Sequence, residues 1–93
     1  MNTFHLIISS PDGSKFDGDA VMLSLRGTEG DLAVMAGHIP FVTAVKKGRC
    51  DITLEDETVI HATLDGGLLN VAKDCVTLLS SSFVQENENK KGS

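Results

Sequence analysis

Apolar and polar residues alternate along this chain in short stretches. Over residues 3–9, Phe4, Leu6 and Ile8 oppose Thr3, His5, Ile7 and Ser9, and over 49–54, Cys50, Ile52 and Leu54 oppose Arg49, Asp51 and Thr53. A period of two places each set on one face of an extended strand. Ile60, Ala62 and Leu64 against Val59, His61 and Thr63 repeat the pattern after the acidic Glu55-Asp56-Glu57, so 49–64 is predicted to be a hairpin. Turn-forming residues recur at Pro11-Asp12-Gly13, Asp17-Gly18, Gly27-Thr28-Glu29-Gly30, Gly37-His38-Ile39-Pro40, Lys46-Lys47-Gly48, Glu55-Asp56-Glu57, Asp65-Gly66-Gly67 and Ala72-Lys73-Asp74. Short strands between evenly spaced turns predict an all-β fold, a sandwich or a barrel.

One stretch fits two templates. Leu68, Val71, Ala72, Cys75 and Leu79 fall at helical spacing. Gly66-Gly67 ahead of them, the turn-like Lys73-Asp74 and the run Cys75-Val76-Thr77-Leu78-Leu79 favour instead two strands over 68–71 and 75–80. Elsewhere the alternation is incomplete. Val21, Leu23 and Leu25 face away from Ala20, Met22 and Ser24, while Phe41, Thr43 and Val45 face away from Val42 and Ala44, leaving apolar groups on both sides. A free sandwich keeps one polar face per strand. Two readings stand side by side: well-covered central strands, or a sheet face that docks on another protein.

Composition narrows the functional classes. Ninety-three residues make one domain, and aromatics at 4% leave aliphatic side chains to build its core. After Phe83 the charged and amide residues of 84–93 have too little apolar area to repay ordering, so a sandwich over 1–83 and a disordered tail over 84–93 are expected. A net charge of -5 without a basic stripe argues against nucleic acid. No apolar run approaches the roughly 20 residues of a spanning helix, and the N-terminus has no export-signal pattern. Cys50 and Cys75 could bridge if neighbouring strands brought them together; a reducing compartment favours two free thiols.

Catalytic chemistry finds little support. There is no Gly-x-Ser-x-Gly elbow, and 27–30 lacks the Gly-Lys-Ser/Thr ending of a phosphate-binding loop. His5, His38 and His61 are not at metal-ligand spacing, although strands could gather them. No catalytic residue, cofactor, metal or small-molecule substrate is therefore expected. The alternative is a free-standing ligand- or metal-binding β-sandwich module.

The middle of the chain, Gly27-Thr28-Glu29-Gly30-Asp31-Leu32-Ala33-Val34 followed by Gly37-His38-Ile39-Pro40 and Thr43-Ala44-Val45-Lys46-Lys47-Gly48, resembles the epsilon subunit of the bacterial rotary ATP synthase. Phe4-His5-Leu6, Ser10-Pro11-Asp12-Gly13, Asp65-Gly66-Gly67-Leu68-Leu69-Asn70-Val71 and Val76-Thr77-Leu78-Leu79 extend the likeness over 3–83. Lys47 stands where that family usually has proline, Asn70 where glutamate is common and Asp65 where serine is common. The family usually continues into a two-helix C-terminal domain, which is absent from these residues. The resemblance implies a flattened β-sandwich of about ten short, mostly antiparallel strands, working as a non-enzymatic rotor subunit of the central stalk, docked on the gamma subunit and the c-ring loops, at the cytoplasmic face of the membrane and not inserted in it. By position it puts Glu29 and Asp31 in the turn that meets the ring, and Ser10, His38 and Thr43 near the gamma contact. Val42, beside them, is a candidate for the interface core, with a purely internal role as the other reading.

Overall fold

The computed structural model describes residues 2–27 and 30–86. Eight strands account for its regular structure: β1 (Phe4–Ser10), β2 (Gly13–Ala20), β3 (Met22–Gly27), β4 (Gly30–Met35), β5 (Phe41–Thr53), β6 (Val59–Val71), β7 (Cys75–Ser80) and β8 (Phe83–Gln85). The ladder runs β2-β1-β7-β6-β5-β3-β4, with β8 on β6; every pairing is antiparallel except β1 with β7. The all-β expectation holds, and so do the two strands preferred over a helix at 68–80.

The strand count differs from about ten because β5 and β6 are long and each serves two layers. The turn residues Lys46-Lys47-Gly48 and Asp65-Gly66-Gly67 predict a break between their first and last halves. In the fold the register runs unbroken across both segments, from Val45↔Gly67 to Lys47↔Asp65. The hairpin bends there instead of ending. One layer is β2, β1, β7 and the 67–71 and 41–45 halves of the hairpin; the other is β8, the 59–65 and 47–53 halves, β3 and β4. Asp17-Gly18, also expected as a turn, lies inside β2. Strand β8 runs through Val84 and Gln85, so the ladder continues two residues beyond Phe83; residues 87–93 lie outside the described residues.

Alternation decides which side of each layer is dry. Phe4, Leu6, Ile8, Leu69, Val71, Val76 and Leu78 from the first layer meet Leu23, Leu25, Val34, Cys50, Ile52, Ala62 and Leu64 from the second in one aliphatic core. Gly67 makes the corner possible. A Cβ there would lie 2.0 Å from the Leu79 carbonyl oxygen, so only a bare backbone lets β6 approach β7 this closely. The buried Ser80 braces the same corner, its hydroxyl shared between the carbonyls of Gly66 and Ser82 at 2.5 and 2.8 Å.

A candidate docking face

Residues that alternate with the core line the outside of the sandwich, and the two outer faces differ. On the first layer, Ala44 pairs across to Leu68 and Leu68 to Leu79, while Val42 pairs to Asn70 and Asn70 to Thr77. Val42, Leu68 and Leu79 are 60%, 45% and 50% exposed, and Ala44 is exposed too. These form an apolar stripe across three adjacent strands, bordered by the half-buried Ile7 and Thr77. Beyond Ile7 the stripe ends in charge, where His5 on β1 sits 2.7 Å from Asp17 and 3.5 Å from Asp19 on β2.

The second layer is polar at its centre. Asp51 accepts a hydrogen bond from His61 Nδ1 at 2.7 Å and one from Arg49 Nε at 3.2 Å, alongside Ser24 and Thr63. Burial pushes the Asp51 carboxyl up, but its bonds to His61 and Arg49 together outweigh that and hold it below the ordinary carboxylate range. The outer apolar groups of this layer lie at its margins: Met35, Met22 and Val59 on a single rung interrupted by Thr53, and Val84 on β8. A side chain on the first face can be desolvated against a partner with little polar cost; one on the second cannot.

The residues expected to bind partners do not share one spot. Val42 points outward on the apolar stripe, as the docking reading requires. Thr43, its neighbour in the chain, points the other way, half-buried beneath the layer with its hydroxyl 3.4 Å from the Ala44 carbonyl. Ser10 ends β1 three strands away and donates to the Asp12 carboxylate, which Lys15 also holds at 3.0 Å. Ser10 and Leu79 line an open hollow of about 400 Å³ together with Ser9, Pro11, Ser80 and Ser81. His38 stands in the β4–β5 connection, its Nε2 donating to the Ala33 carbonyl at 3.1 Å and its ring tilted against Phe41. Asp31 is exposed on β4 opposite Arg26; Glu29 lies outside the described residues.

Alternation along the sequence puts Ala44 on the face of Val42 but does not join Leu68 and Leu79 to it. Each of the three alternates with a buried neighbour (Val45, Leu69 and Leu78), but only strand pairing shows that they adjoin. His5 and His61 lie on the outer faces, opposite the core as their alternation predicts, and each contacts aspartate on a neighbouring strand. Among the described residues, no group of three His, Cys, Asp or Glu could hold a metal ion. Cys50 faces the core and Cys75 the outer side, with β6 between their strands, so they cannot bridge.

Comparison with known proteins places this architecture. A family model for the β-sandwich domain of the ATP synthase delta/epsilon chain matches residues 3–86. An ATP synthase epsilon chain of Delftia acidovorans is 34% identical over 85 residues, covering 91% of this chain and 62% of that protein. The chain thus spans less than two thirds of that relative's length. A chain of the Euglena gracilis mitochondrial ATP synthase superposes with a TM-score of 0.84 at 20% identity, over 89% of this chain and 53% of the other. One from the Tetrahymena thermophila mitochondrial ATP synthase central stalk and c-ring gives 0.73 at 10% identity, over 88% and 66%. At those identities the two structures speak to the fold alone.

Proposed function

The chain belongs to the ATP synthase delta/epsilon-chain β-sandwich family, and from that premise we propose that it is a non-catalytic rotor subunit of the central stalk. In this reading it docks the gamma subunit and the c ring, and so couples ion-driven rotation to ATP synthesis. The work is mechanical. A part that transmits torque needs a stiff body and contacts that do not slip, and it needs no reactive centre.

The observation that carries the reading is the apolar stripe of Val42, Ala44, Leu68 and Leu79 on one outer face of a sandwich whose core is already complete. Such a face lies outside the filled core and fits an interface core. Asp31, at the β3–β4 end, is the described member of the pair assigned to the ring contact, where a negative charge would orient polar or basic loops more than add affinity. Ser10 and His38 are placed at opposite ends of the same body and would mark the extent of the gamma contact. The subunit would work at the membrane surface as part of the membrane-associated complex, on its cytoplasmic face, without inserting.

Binding of the chain to an ATP synthase complex depleted of this subunit tests the proposal. Leu68→Asp is expected to raise the Kd at least about tenfold while leaving the melting temperature unchanged, because Leu68 is outside the core. Unaltered binding by a folded Leu68→Asp protein would remove the apolar face from the account.

A further inference from the structure

Two rungs on the outer face of the first layer read the same in either direction. From β5 through β6 and β7 to β1, one rung is Val42, Asn70, Thr77 and Ile7, and the next is Ala44, Leu68, Leu79 and Ser9. The first runs apolar, polar, polar, apolar. The second runs small, large, large, small. A two-fold axis parallel to the strands and midway between β6 and β7 exchanges β6 with β7 and β5 with β1. Laid on a second copy about that axis, Leu68 faces the second copy's Leu79 and Val42 faces its Ile7. Asn70 faces its Thr77, where an amide and a hydroxyl can hydrogen-bond. Ala44 and Ser9 meet at the margin, small enough to let the leucines close. Neither rung carries a charge. Asp17, which follows Ile7 on β2, falls beyond the second copy's β5 and stays in water. The face is complementary to itself, as an isologous interface requires.

We propose that the free chain pairs with a second copy of itself through this face, the two first layers stacking about 10 Å apart as packed sheets do. The pairing goes beyond the stalk reading and shares only its surface: a paired chain has its docking face covered until the two copies separate. Four strands about 4.8 Å apart and two rungs about 7 Å apart enclose on the order of 300 Å² per copy. A standard interface takes about 800 Å² per partner, so the pair is weak, with a Kd on the order of 100 µM. Each chain also carries a net charge of -5, so the copies repel at long range and salt tightens the pair.

Sedimentation equilibrium of the 93-residue chain, from about 10 µM to about 1 mM, tests the proposal, with thermal unfolding run on every variant. The average mass is expected to climb from one chain toward two across that range, and at lower concentration in high salt than in low. Leu68→Asp and Leu79→Lys should each remain monomeric with melting temperatures unchanged, because both side chains lie outside the core. Mixed in equal amounts, the two variants should associate again. The axis sets position 68 of one against position 79 of the other, now opposite in charge, and general damage to the fold would not produce that rescue. A wild type that stays monomeric at about 1 mM, association that neither substitution weakens, or a mixture that stays apart would each overturn the two-fold pairing. The stalk reading is tested apart from it, by binding to the depleted ATP synthase at about 1 µM, where the chain is a monomer whether or not the pair exists.

Discussion

Burial drives the Cys50 thiol up to about 12, and the adjacent Asp51 carboxylate adds to the shift, so the thiolate that reagents attack is almost absent at neutral pH. Cys75 faces outward and is half-buried. A thiol reagent at pH 7 is therefore expected to modify at most one cysteine per native chain and both in denaturant, as counted by mass spectrometry. Labelling of Cys50 in the native state would show that its strand is not packed as described. Asp51 reports on the opposite sign. Its folded carboxyl lies below the unfolded value of about 3.9, so it stabilises the fold fully above that value and loses the effect as pH falls through the depressed one. Urea midpoints of the wild type and Asp51→Asn should accordingly differ at neutral pH and converge in acid below about pH 4. At this scale the sequence showed which way each side chain points but not what it meets. His61 reads as a wet-face residue from alternation alone, and its clamp on Asp51 depends on a cross-strand register that alternation does not specify.

The bent β5–β6 hairpin organises the molecule, and its corner rests on Gly67. Gly67→Ala would drive a Cβ into the Leu79 carbonyl, and the backbone of β6 or β7 must move to relieve it. A loss of about 2–3 kcal/mol is expected from denaturant unfolding. Little or no loss would mean that the two strands are not so close. The same element accounts for the difference between the expected and the observed strands. Glycine and charged residues at 46–48 and 65–67 predict turns, because a glycine signals backbone freedom without saying whether the chain reverses or bends. The outer half of the hairpin, 49–64, was legible because Cys50, Ile52, Ala62 and Leu64 alternate cleanly with polar partners. In Val42, Ala44, Leu68 and Leu79 the alternation leaves apolar groups on the outer side as well, which is the pattern the proposed docking face requires.

For the whole molecule, the core gathers residues from both layers into a single cluster, so the chain is expected to unfold in one cooperative step without any partner. Coincident circular-dichroism and fluorescence-probe transitions would confirm this; a molten monomer would contradict it. A body that folds alone is free to use its outer surface for assembly, and its two outer faces divide that surface unequally. The most direct measurement is residue-level solvent protection of the chain free and within the assembled ATP synthase, by oxidative footprinting. The expected result is strong protection of Val42, Leu68 and Leu79 on assembly, with His61 and Met35 on the other layer little changed. Equal protection of both layers, or protection of the His61 side alone, would contradict the assignment of the apolar stripe as the docking face.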